Sequence, residues 1–226
     1  MGEFDFSVWQ PSLPFIRDGL LFTLRLTLVA MSGGIVIGTL LALARLSPVA
    51  LLSRIAGGYV DLMRSIPLVL VILWFFLVIP FITGSPVGAE TSAVITFTAF
   101  EAAFYCEIMR SGIQSVPRGQ RDASLALGLT LPQAYRQVLL PQALRIVMPP
   151  LTSEFMNVFK NSSVAFAIGV LELTFQARQM QEDSEQGIET YLAVTLLYFI
   201  CAFAANRGMA WIEARSRVPG LIARLG

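Results

Sequence analysis

Five apolar runs, each about as long as a bilayer is thick, dominate this chain. They cover roughly 20–44, 56–82, 91–113, 143–169 and 190–212, and a spanning helix needs about 20 mainly apolar residues. Lipid offers no partner to an open backbone N–H or C=O, so such runs fold as helices that bond internally. The expectation is an all-α membrane protein of five transmembrane helices, with residues 1–226 as a single domain. Charged residues make up only 14% of the chain, against about 25% in soluble domains, and the mean hydropathy is +0.69. A net charge of +1 without a basic tract gives no footing for a nucleic-acid partner. There is no histidine, and Cys106 and Cys201 sit in apolar runs, so neither a metal site nor a disulfide is expected. Residues 1–19 carry Glu3, Asp5 and Asp18 without a basic start, so the first run reads as a retained helix rather than a signal peptide.

Arginine placement sets the expected topology. Arg45 and Arg54 follow the first run, Arg110, Arg118, Arg121, Arg136 and Arg145 cluster around the link between the third and fourth, and Arg207, Arg215, Arg217 and Arg224 lie after or at the end of the fifth. The alternate ends hold Glu3, Asp5, Asp18, Glu90, Glu172, Glu182, Asp183, Glu185 and Glu189, with Arg17 and Arg178. The positive-inside rule then places the N-terminus outside and the C-terminus in the cytoplasm. Gly33, Gly34 and Gly38 read as close-packing positions on the first helix.

The link at 118–141 is polar but patterned. Arg118 to Leu127 has helical periodicity, and Gly128 suits a left-handed cap. Thr130 with Gln133 forms a capping-box pattern for a second helix, with Pro132 in its first turn. That helix is expected to stop at Pro141.

These residues carry a resemblance. Asp122-Ala123-Ser124, three residues, Gly128, nine residues, Val138, one residue, then Leu140-Pro141 is similar to the EAA loop of ABC importer permeases, with Asp for Glu and Ser for the second Ala. Arg64-Ser65-Ile66-Pro67-Leu68, Glu107-Ile108-Met109-Arg110-Ser111-Gly112-Ile113 and Phe159-Lys160-Asn161-Ser162-Ser163 look like the polar amino-acid branch, most like glutamate/aspartate permeases. The resemblance runs from about residue 20 to 220. It implies a type I ABC importer permease fold in a bacterial cytoplasmic (inner) membrane. It also implies that Arg118, Asp122, Ala123, Ser124, Gly128, Leu140 and Pro141 couple the chain to a separate ATPase. The implied assembly holds two ATPase subunits binding ATP with Mg, a related permease in a heterodimer rather than a homodimer, an external solute-binding protein, and an amino-acid substrate. Independently, the chain has one lysine, Lys160, and no GxxxxGK[ST] sequence, so a nucleotide site of that kind must come from a partner.

Ionisable groups within spans are expensive and commonly functional. Glu154, Asn157 and Asn161 share a helical face, with Lys160 beside it and Ser162 and Ser163 following. Pro149-Pro150 is expected to interrupt the helix just before them. One reading has Lys160 holding a carboxylate, Asn161, Ser162 and Ser163 donating hydrogen bonds, and Glu154 meeting an ammonium group. The other is a structural Glu154–Lys160 pair. Glu101 is a candidate gating or inter-subunit contact, and Glu107 with Arg110 an i,i+3 pair. Two other classes stay open: an intramembrane enzyme using Glu101, Glu154 and Ser162 or Ser163, and a structural subunit that passes no substrate.

Overall fold

The computed structural model describes residues 9–184 and 187–216, and all of its regular elements are helical. Glu3, Asp5, Glu185, Arg217 and Arg224, used above for topology, lie outside the described residues. Helix α1 (Trp9–Arg45) and α4 (Ala89–Ser115) form the axis of the bundle. Their contact is close because α1 offers glycine where α4 approaches. A Cβ at Gly38 would stand 2.7 Å from Ala102 O and 2.8 Å from Cys106 N, and one at Gly33 would stand 2.7 Å from Thr98. With Arg45 reaching Glu107 at the far end, the register makes α1 and α4 parallel. The intervening residues therefore return the chain to the end from which α1 begins.

That return is not one straight helix, as the run at 56–82 suggests. It is split into α2 (Ala50–Ser65) and α3 (Leu68–Thr83), inclined at 110°. The cause is Pro67. Ile66 before it is extended, at φ −109° and ψ 136°, because the proline ring disfavours the helical region for its predecessor. Gly84, at φ +69°, closes α3 with its N–H on Pro80 O.

The link forms α5 (Arg118–Ala126) and α6 (Leu131–Ala134), which continues through a π segment (Tyr135–Leu139) into α7 (Leu140–Asn161). Pro141 therefore starts a helix instead of stopping one. Its missing N–H falls in the first turn of α7, where it is least needed. The π segment, in which Leu140 N–H bonds Tyr135 O, widens the ladder just before it. The expected break at Pro149-Pro150 is also absent: α7 stays helical through both prolines to Asn161. The interruption comes later, as a 3-10 turn over Ser162–Ile168 ended by Gly169 at φ +79°. Helix α7 is antiparallel to α4, with Val147 and Leu151 packed on Tyr105, Cys106 and Met109.

The chain then forms α8 (Leu173–Ser184) and α9 (Gly187–Ser216). Glu172, fully buried, holds this corner. Its carboxylate accepts the backbone N–H groups of Thr174 at 2.8 Å and Phe175 at 2.7 Å, and the Tyr198 hydroxyl of α9 at 3.1 Å. This is an N-cap serving as an inter-helix clamp, and it withdraws Glu172 from the solvated outer acids. Residues Ser12–Arg45, Ala89–Ser115 and Gly187–Trp211 are each long and apolar enough to cross a membrane. The α2–α3 pair and the bent pair Leu131–Ile168 with Leu173–Asp183 complete five if each is one span.

Candidate functional site

The link between α4 and α7 ends as the glycine pattern requires. Gly128 is at φ +85°, its N–H bonds Leu125 O at 3.0 Å, and Leu129 N–H bonds Ser124 O at 3.2 Å. This pair of bonds is a Schellman closure of α5. Gln133 Oε1 accepts the Thr130 backbone N–H at 2.8 Å, which supplies the return bond of the capping box. Gln142 Nε2 donates to Gln120 Oε1 at 3.3 Å and ties α5 to α7. Ser124 is buried with its hydroxyl on Arg121 O, whereas Arg118, Asp122, Ala123, Gly128 and Leu140 are exposed. Around them stand Leu125, Leu131, Tyr135 and above all Leu127, 84% exposed. The link thus presents an exposed apolar set among polar residues. Sequence reasoning singled out the glycine and the acid but not Leu127, whose exposure follows only from its place at the end of α5. A cavity of about 610 Å³ separates this link from the ends of α1 and α4, lined by Leu43, Leu46, Ile113, Arg118, Arg121 and Leu139 among others.

Behind the link, Glu107 gathers the ends of three helices. Arg110 Nη2 lies 2.6 Å from Oε2, which is the expected i,i+3 pair. Arg45 of α1 also binds Glu107, and Arg64 of α2 stands at 3.9 Å while covering the Phe104 ring. Asp61 is 3.9 Å from Arg45. Sequence reasoning treated Arg45 only as a topology marker; its pairing needs the parallel α1–α4 register.

The polar residues of α7 fall into two sets. Glu154 and Asn161 are seven residues apart, which is nearly two turns, so they share a face; Lys160 lies about a third of a turn away. Asn157 donates to Glu154 at 3.2 Å. Asn157 is exposed, and Glu154 and Asn161 are half-buried. Lys160 turns toward α9, at a cavity of about 300 Å³ shared with Ser163, Thr174, Tyr191, Thr195 and Tyr198. Among the described residues no ion pair joins Glu154 to Lys160. Ser162 is buried and donates to Phe159 O at 2.7 Å, and Ser163 donates to Lys160 O at 2.9 Å. Their hydroxyl protons serve the helix end. Glu101 lies fully buried in the α4 contact, with no hydrogen-bond partner for either oxygen. Among the described residues no group of three His, Cys, Asp or Glu is placed to hold a metal ion.

Comparison with known proteins matches residues 34–218 to the family described as binding-protein-dependent transport system inner membrane component. The chain is 38% identical to the glutamate/aspartate import permease protein GltK of Escherichia coli O6:H1 over 223 residues, covering 96% of this chain and all of that one. It is 37% identical to the glutamate/aspartate import permease protein GltJ of Escherichia coli strain K12, covering 92% of this chain and 89% of the other. A crystal structure of an amino acid ABC transporter with histidines superposes with a TM-score of 0.89 at 30% identity, over 95% of this chain and 100% of that chain. A chain of the MetNI methionine ABC transporter in an inward-facing conformation shares the fold, with a TM-score of 0.78 at 24% identity over 92% of this chain and 99% of its own.

Proposed function

The chain belongs to the family of binding-protein-dependent transport system inner membrane components, and from that membership we propose that it is the permease subunit of an ATP-driven importer of acidic amino acids. Its fold is that of the type I ABC importer permeases. The relatives GltK and GltJ are glutamate/aspartate permeases by name, and that kinship supports the substrate class. Because two such permeases resemble this chain, a heterodimer with a second, related permease is the favoured assembly. Two ATPases supply ATP hydrolysis, and an external binding protein delivers the amino acid. The chain itself performs no chemistry.

The observation that carries the reading is the link at 118–141. Its Schellman-closed α5, capped α6 and exposed Leu127 form a small, stiff, partly apolar knob on the end of the bundle. Such a knob fits a cleft in a partner and transmits that partner's movement through α7, to which it is continuous. In the membrane the arginine-rich end faces the cytoplasm, with the N-terminus outside.

The polar face of α7 supports the substrate path. Asn157 is exposed and Glu154 and Asn161 are only half covered by this chain, and polar groups on a membrane helix face protein or water rather than lipid. A partner permease across this face encloses a path in which Glu154 meets an ammonium group. Lys160, with Ser163 and the Tyr191 and Thr195 hydroxyls beside it, is the carboxylate subsite. Ser162 and Asn161 shape the helix end, and Glu101 lies behind Glu154.

The test is ATP-dependent uptake of labelled glutamate, aspartate, glutamine and arginine into liposomes holding the full assembly, for wild type and Lys160→Ala. The reading expects acidic amino acids to be taken up and Lys160→Ala to reduce that uptake at least tenfold. Uptake of glutamine or arginine alone would refute the substrate class.

A further inference from the structure

Among the described residues Glu101 is a buried acid with no cation paired to it. It is 0% exposed, and both carboxyl oxygens lack a hydrogen-bond partner, as does the phenolic oxygen of Tyr105 one turn along α4. Helix α1 seals the group without a charge: a Cβ at Gly34 would stand 2.8 Å from the Tyr105 ring and 3.3 Å from Glu101 Cβ. From α7 the ionisable neighbour is Glu154, and from α4 it is Tyr105. Helix α3 has no titratable residue. Helix α2 brings Tyr59, whose hydroxyl donates to Ala99 O at 2.6 Å, and Arg64, which lies over Phe104 and toward Glu107. Glu101 therefore has no cation against it, while Glu154 beside it is half-buried, and a sealed carboxyl without a partner keeps its proton.

We propose that Glu101 and Glu154 form a proton site, holding one proton and one negative charge in the arrangement described here. Its role rests on the amino-acid permease reading. When the ammonium group of the substrate reaches Glu154, it takes over as the counter-charge. The O–H bond on Glu101 breaks, and the proton leaves to the aqueous side then open. The pair loses one proton and gains one ammonium, so charge balances. Substrate entry is thereby linked to proton release.

Infrared spectroscopy of the full chain in nanodiscs, without substrate, tests the site. The expected result is a carboxylic-acid C=O band at neutral pH that shifts in D2O and is lost in Glu101→Gln. No such band in the wild type overturns the proposal, and so does its disappearance in sodium but not potassium buffer, which assigns the site to a metal cation. Proton release is then read with a pH dye in weak buffer on adding glutamate to the assembled transporter. About one proton per bound glutamate is expected from the wild type and none from Glu101→Gln at saturation; equal release from both overturns the link. The infrared measurement needs no substrate. Its failure strikes the proton site alone, whereas absent uptake with the band present strikes the functional reading.

Discussion

Gly38 and Gly128 show two different uses of glycine. At Gly38 the need is space: the Cβ of any other residue meets backbone atoms of α4, Ala102 O and Cys106 N, which cannot rotate aside. Gly38→Ala is expected to destabilise by about 1–3 kcal/mol, the usual cost of overpacking a tight contact, read as a lower melting temperature in detergent. At Gly128 the need is conformation, because φ is +85° and nothing crowds the position. A left-handed backbone costs an L-residue about 1–2 kcal/mol, so Gly128→Ala loosens the end of α5 while leaving the bundle's melting unchanged. Both glycines were legible in the sequence, Gly38 through its repeat with Gly33 and Gly34, and Gly128 through its place after a periodic run. Tyr105 and Glu172 were not. Their roles depend on which helix lies opposite, and neither has a local signature. Glu172 in particular read as one more outer acid until Tyr198 was seen across from it.

At the scale of elements, proline acted by position rather than by presence. Pro67 breaks a span because Ile66 before it turns extended, whereas Pro141, Pro149 and Pro150 lie inside or at the start of a helix that tolerates them. These four of the chain's twelve prolines are chemically alike, and their places relative to the helix ends separate the cases. The π segment at Tyr135–Leu139 is the clearest example, since nothing in the composition of Tyr135-Arg136-Gln137-Val138-Leu139 announces an i→i+5 ladder. Ion pairing between elements is likewise unequal. Glu107, 18% exposed, joins α1, α2 and α4 through three arginines, while Asp61, 71% exposed, makes one long contact. Glu107→Gln leaves half-buried guanidinium groups without their acid and is expected to lower the melting temperature clearly more than Asp61→Asn, because a screened pair contributes about 0–1 kcal/mol at most. Equal effects of the two substitutions would remove Glu107 as the joint of the three helices.

At the scale of the whole molecule, five apolar runs foretold the class of fold, and the pattern at 118–141 foretold the two short capped helices of the link. The polar face of α7 was only half legible. Periodicity put Glu154, Asn157 and Asn161 on one face, but it did not reveal that Lys160 turns toward α9 or that the serines are engaged in the helix end. The uncovered polar face predicts a second permease opposite it. In a Cys106→Ala, Cys201→Ala background, Asn157→Cys is expected to react with a water-soluble thiol reagent in the assembled transporter and to be protected by glutamate. Reaction equally fast with and without substrate would take that face out of the path. The central claim is that the link at 118–141 couples this chain to an ATPase. Its most direct test measures ATP hydrolysis and amino-acid uptake together in liposomes holding the full assembly, for wild type and Leu127→Asp. The account predicts that the variant loses uptake by at least tenfold and that its hydrolysis no longer rises with substrate-loaded binding protein. Wild-type uptake and stimulation in Leu127→Asp would contradict it.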